Sequence, residues 1–103
     1  MTTIQSDLPI GHELIEGQPH HAVTVYGTDW CGDSTRARAL LQQWGIEFNY
    51  YNIDLDPAMQ RTAWSLQNGT EKTPVVRIDE THVLVEPSDD ALLAALRETG
   101  RIA

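Results

Sequence analysis

Apolar residues change their spacing from segment to segment along this chain, and the changes mark seven elements. Ala22-Val23-Thr24-Val25-Tyr26 is short, β-branched and nearly continuous in apolar character, the pattern of a strand buried on both faces. After a turn at Gly27 to Trp30, Ala37, Leu40, Leu41 and Trp44 recur at i, i+3, i+4 and i+7. That spacing predicts a helix over 34–44 with one apolar face, stopped by Gly45, with Arg36, Arg38, Gln42 and Gln43 on the wet face. Residues 47–53 read as a second strand, Phe48 and Tyr50 pointing one way and Asn49 and Tyr51 the other. Asp56 and Pro57 open a second helix as N-cap and first helical residue, with Met59, Ala63 and Leu66 as its buried stripe, Trp64 near the edge, and Asn68-Gly69 as its end. Pro74 opens a third strand over 75–78, Asp79-Glu80-Thr81 turns the chain, and 82–85 is the hairpin partner. Ser88 caps a last helix carrying Asp89 and Asp90 in its first turn, anchored by Leu92, Leu93 and Leu96 and stopped by Gly100.

The order β-α-β-α-β-β-α predicts an α/β domain. Its first βαβ unit requires a parallel pair with a right-handed crossover, and its last two strands form an antiparallel hairpin. The expected product is a mixed four-stranded sheet with helices on both faces. Residues 1–20 keep neither a 2.0 nor a 3.6 period and contain Pro9, Gly11, Gly17 and Pro19. They read as an N-terminal extension, with room for one helical turn over 12–16, and 21–103 as the domain. His12, His20 and His21 are read as loop histidines; a metal site needs three or four convergent ligands, and none is expected.

Composition narrows the function classes. The chain has 103 residues, enough for one domain with its own core. Its formal net charge is −8 with Lys72 as the single lysine, so no basic patch exists for a phosphate backbone and nucleic acid is not an expected partner. No apolar run approaches the roughly 20 residues of a membrane span, and no basic-then-apolar leader opens the chain. A single cysteine forbids an internal disulfide, in keeping with a reducing compartment. A cytoplasmic monomer is the expectation.

That cysteine carries the chemistry. Cys31 lies in Gly27-Thr28-Asp29-Trp30-Cys31-Gly32-Asp33-Ser34, between a strand and a helix, in a polar turn rather than on an apolar face. The thiolate is the nucleophile, so its pKa controls reactivity. Backbone N–H groups of Asp33 and Ser34 at the helix start, and the Ser34 hydroxyl, are placed to lower it. The charges of Asp29 and Asp33 oppose them. Trp30 offers an incoming disulfide a flat apolar surface. Pro74 after Thr73 is a second feature. A cis bond there would present the backbone groups of Thr73 to an extended thiol compound, whereas a trans proline would only begin an edge strand. Ser88 and Asp89 at a helix N-terminus are a third, able to hold an anionic group or simply to cap.

Trp30-Cys31-Gly32-Asp33-Ser34, Lys72-Thr73-Pro74-Val75 and Glu86-Pro87-Ser88-Asp89-Asp90 together resemble the glutaredoxin family of the thioredoxin superfamily, over roughly 22–97. The look is nearest to mycoredoxin-like proteins, with Thr28 three residues before the cysteine. The resemblance implies a thioredoxin fold, Cys31 as attacking thiol, a cis Pro74, Thr73 pairing with the bound thiol, and Ser88 and Asp89 on its terminal group. Ser34 stands where many relatives carry a second cysteine, which closes a two-cysteine mechanism. Thr28 replaces the lysine common in glutathione-binding relatives, leaving Lys72 and Arg36 as candidate carboxylate holders.

The expected activity is a monothiol thiol–disulfide oxidoreductase that removes a low-molecular-weight thiol (mycothiol, bacillithiol or glutathione) from thiolated client proteins. Cys31 attacks, Ser34 hydrogen-bonds the sulfur, and no bound cofactor is needed. Two alternatives belong to other classes. One is a [2Fe–2S] carrier of the monothiol type, discriminated by iron-coloured protein after anaerobic purification. The other is a redox-silent binding module, discriminated by a Cys31 that resists alkylation.

Overall fold

The computed structural model describes residues 21–103. The expected extension over 1–20, its helical turn, and His12 and His20 lie outside the described residues. Within them the chain runs β1 (Val23–Gly27), α1 (Gly32–Gln43), β2 (Phe48–Asn52), α2 (Pro57–Leu66), β3 (Val75–Ile78), β4 (His82–Val85) and α3 (Asp89–Glu98). The strands form one sheet in the order β2-β1-β3-β4. β1 pairs parallel with β2, and antiparallel pairs follow at β1–β3 and β3–β4.

Strand alternation divides the core between two faces. On one, Val23 and Val25 of β1 and Val76 and Ile78 of β3 pack with Ala37 and Leu41 of α1 and with Leu92, Ala95 and Leu96 of α3. On the other, Tyr26, Tyr51, Ile53 and Val75 pack with Ala63 of α2. Helices therefore cover both faces, as the element order requires.

Two details of α1 depart from the periodic reading. The helix begins at Gly32, two residues before the predicted start, with Cys31 in extended backbone as its N-cap. Its first turn, Gly32-Asp33-Ser34-Thr35, has no apolar residue, so periodicity alone is blind to it. At the other end Trp44 leaves the apolar face and stands as C-cap, 42% exposed. Gly45 there takes φ +72°, and the N–H groups of Gly45 and Ile46 bond the carbonyls of Gln42 and Leu41. This reversal turns Ile46 onto the core in place of Trp44.

The sheet register gathers the chemistry at one end. Gly27, the last residue of β1, is opposite Asn52, the last of β2, and Tyr26 is opposite Val75, the first of β3. The β1–α1 loop, the β2–α2 loop and the entrance to β3 therefore meet there.

Candidate active site

Cys31 is half-buried at the N-terminus of α1. Its carbonyl accepts the first helical bond, from the N–H of Thr35 at 3.0 Å, and its own N–H reaches back to the carbonyl of Thr28 at 3.4 Å. The Thr73 hydroxyl lies 3.7 Å from the sulfur. Burial pushes the thiol pKa up. The N–H and hydroxyl of Ser34, the Thr73 hydroxyl and the Asp33 N–H all stabilise the thiolate, and the balance lies below the ordinary thiol value.

Ser34 is wholly buried. Its Oγ accepts from the N–H of Thr28 at 3.3 Å, and the hydroxyl is a donor that favours the Cys31 thiolate. The room for it comes from Gly27: a Cβ at that position would stand 2.5 Å from Ser34 Oγ and 2.8 Å from its Cβ. Ser34 thus joins strand, turn and thiol. Ser34→Ala removes one donor to the thiolate, so the alkylation rate of Cys31 is expected to keep its shape against pH but move to higher pH. An unmoved profile would deny the hydroxyl a part in activating the thiol.

Two acids beside Cys31 are held by other groups. Arg36 Nη2 lies 3.1 Å from Asp33 Oδ1, and Arg36 Nη1 lies 2.6 Å from Asp89 Oδ1. One guanidinium thereby spans the first turns of α1 and α3. Asp29 accepts from the Tyr50 hydroxyl at 2.7 Å and lies 3.9 Å from Arg38 Nη2. The opposition expected from the charges of Asp29 and Asp33 is not among the influences that set the thiol pKa, which are burial and the hydrogen bonds to the sulfur. Arg36 pairs closely with Asp33, whereas Arg38 comes no nearer than 3.9 Å to Asp29.

The Thr73–Pro74 peptide bond is cis, with Pro74 buried at the head of β3. Trp30 is 77% exposed, and its Nε1 donates to Asp54 Oδ2 at 2.6 Å. Ser88 caps α3, its Oγ accepting from the N–H of Ala91 at 3.1 Å. Lys72 is exposed, with Nζ 3.9 Å from Glu86 Oε1. The structure therefore brings Cys31, Ser34 and Thr73 together, and Arg36 ties Asp89 to Asp33 in the first turn of α1. The charged end of Lys72 faces Glu86.

Three supporting residues carried no signal in the sequence reading. Buried Gln67 splints the loop before Thr73, its Nε2 donating to the carbonyl of Lys72 at 2.9 Å and its Oε1 accepting from the N–H of Lys72 at 3.2 Å. Tyr50 holds the β1–α1 loop through Asp29, with the Arg38 guanidinium 3.9 Å above its ring; burial first, then the bond to Asp29, raises its phenol pKa well above the usual range. Asp54 holds Trp30. A Gln just beyond a predicted helix end, ahead of a Thr-Pro strand entrance, is a usable hint for the first. The other two depend on contacts across the sheet.

An accessible thiol with a lowered pKa at a helix N-terminus exchanges with disulfides, and the fold and site define a thiol–disulfide oxidoreductase. Within that class the chain belongs to the glutaredoxin family, whose family model, "Glutaredoxin", matches residues 23–83. A glutaredoxin of Pseudomonas aeruginosa is 35% identical over 80 residues, covering 78% of this chain and 89% of the relative. The solved glutaredoxin of Archaeoglobus fulgidus superposes with a TM-score of 0.68 at 22% identity, covering 84% of this chain and 98% of that one. A buckwheat glutaredoxin–glutathione complex superposes with a TM-score of 0.61 at 25% identity, covering 81% and 83%. The architecture is thus the thioredoxin fold of the glutaredoxins. Among the described residues no helix is long and apolar enough to cross a membrane.

Proposed function

We propose that this glutaredoxin works by a monothiol, mycoredoxin-like route on mixed disulfides between a protein and a low-molecular-weight thiol. The Cys31 thiolate attacks the small thiol's sulfur. The disulfide bond breaks, and the client's sulfur leaves as a thiolate that takes a proton from water. Cys31 now holds the small thiol as a new disulfide. The thiolate of a second small-thiol molecule attacks that sulfur, releasing Cys31 thiolate and the disulfide of the two small thiols. Atoms and electrons balance with the small thiol as the only reductant.

The observation that supports this reading is the wholly buried Ser34 hydroxyl beside the chain's single thiol. It favours the thiolate but cannot form a disulfide. Thr73 offers the bound thiol its backbone, Ser88, Asp89 and Lys72 offer polar partners for its far end, and Trp30 offers the incoming disulfide an apolar wall. The compartment is taken to be the cytoplasm, the working form a monomer, and 1–20 an extension outside the catalytic domain.

The small thiol is mycothiol, bacillithiol or glutathione. The test loads one client protein with each in turn and measures which adduct the protein removes, with the matching free thiol as reductant. One adduct is expected to be removed at least about tenfold faster than the others, a difference of about 1.4 kcal/mol in transition-state binding. Removal of none of the three would overturn the proposed substrate class.

A further inference from the structure

Trp30 and Leu55 are 77% and 75% exposed, far above the 39% and 37% of Val83 and Val85 on the edge strand β4. They lie on the β1–α1 and β2–α2 loops, which leave the same end of a parallel strand pair. The Trp30–Asp54 hydrogen bond ties one loop to the other, one residue before Leu55. Leaving Trp30, next to the reactive Cys31, and Leu55, next to the Asp54 that holds Trp30, in water forgoes burial worth about 25 cal/mol per Å². A fixed, exposed tryptophan is also the residue type most enriched among binding hot spots.

We infer that the Trp30–Leu55 surface, with the carboxylates of Asp29 and Asp54 beside it, docks the protein half of the mixed disulfide and favours clients with an apolar residue and a lysine or arginine flanking the modified cysteine. The inference rests on the substrate class proposed above.

Sheet order separates this surface from the rest of the site. Asp54 and Leu55 follow β2 on one side of β1, whereas Thr73, Pro74 and the hairpin lie on the other. A mixed disulfide spanning Cys31 can then lay its small half toward β3 and its protein half toward β2.

Charge is distributed unequally between the two sides. Asp33, Asp89 and Glu86 each face Arg36 or Lys72. Asp54 meets only a neutral indole N–H, with no cation paired to it among the described residues. Asp29, 69% exposed at its side chain, has Arg38 no nearer than 3.9 Å, and Arg38 is held over Tyr50. A basic client completes these acids, while a second copy of this chain, of net charge −8, would bring its own acids against them.

The test uses two S-glutathionylated peptides, one with Leu and Lys flanking the cysteine and one with Ser and Glu, beside the cysteine–glutathione mixed disulfide, which has no protein half. The Leu/Lys peptide is expected to be reduced with about tenfold higher kcat/KM than the Ser/Glu peptide, with the gap narrowing at high salt as exposed charges are screened. Leu55→Ser is expected to lower kcat/KM for the Leu/Lys peptide alone and to leave the small mixed disulfide unchanged. Asp54→Asn keeps an acceptor for Trp30 and is expected to reduce the preference for lysine. Equal rates for the two peptides, or an equal loss on all substrates in Leu55→Ser, would overturn the inference.

Docking is also read without chemistry. The Leu/Lys peptide with serine in place of its cysteine is titrated while the Trp30 indole and the amides of 54–55 are followed by NMR. Shifts confined to that surface support it, and their absence rejects it even if the peptide disulfides prove not to be substrates.

Discussion

Cys31→Ala is expected to lower turnover of every mixed disulfide on the order of 10³-fold or more, to the rate of the uncatalysed exchange. The chain has no other thiol to form the covalent intermediate, and the hydroxyls of Ser34 and Thr73 beside it cannot replace it. The variant should fold normally. Cys31 is only half-buried, and the first helical bond of α1 uses its backbone carbonyl, which alanine keeps. Melting within about 0.5 kcal/mol of the parent is therefore expected, the usual range for a change that disturbs no packing. Mixed-disulfide turnover and thermal denaturation on one preparation separate the two effects. Turnover retained in a fully folded Cys31→Ala protein would remove the thiol from the mechanism.

The second large effect is expected from a residue with no side chain. Gly27→Ala places a methyl group 2.5 Å from Ser34 Oγ and 2.8 Å from Ser34 Cβ, with Tyr50 Cε1 at 3.6 Å. Neither partner yields easily. Gly27 is paired with Asn52 in the sheet and its carbonyl accepts from the N–H of Ile53 at 2.9 Å, while Ser34 is wholly buried in the first turn of α1. Overpacking of this kind costs about 1–3 kcal/mol. In a domain of this size each kcal/mol moves the melting temperature by roughly 4–8 °C. Thermal denaturation should show that loss. Relief requires α1 to move away from β1, which weakens the Thr28–Ser34 bond and disturbs the Ser34 hydroxyl that favours the Cys31 thiolate. The thiol pKa should then rise, and the pH profile of alkylation should move in the same direction as in Ser34→Ala. A stable Gly27→Ala protein with an unchanged profile would mean that Ser34 is not held by the strand.

The same pair of residues marks the limit of what the sequence discloses. Gly27 in the sequence reads as the start of a turn, and Ser34 as an N-terminal helix residue near a cysteine. That each excludes a larger neighbour follows only from the packing of a strand end against a helix turn, so close that a Cβ on Gly27 would fall 2.5 Å from Ser34 Oγ. Arg36 is a similar case. Sequence placed it on the wet face of a helix as a candidate carboxylate holder, and the fold brings Asp89, 53 residues away, against it.

By itself the sequence determined the seven elements, their order, the two-sided burial of the sheet and the place of the thiol at a strand–helix junction. Those features depend on local periodicity, on Pro57 and Gly45 at helix ends, and on the caps Asp56 and Ser88, all acting within a few residues of chain. Only the tertiary structure decided the state of the thiol and what surrounds it. Thr73 reaches the sulfur from another strand, Arg36 draws off the charge of Asp33 toward α3, and Asp54 holds Trp30 from the neighbouring loop. The physical reason is range: secondary structure is set by neighbours in sequence, whereas the acidity and surroundings of a side chain are set by neighbours in space, which the chain acquires only on folding.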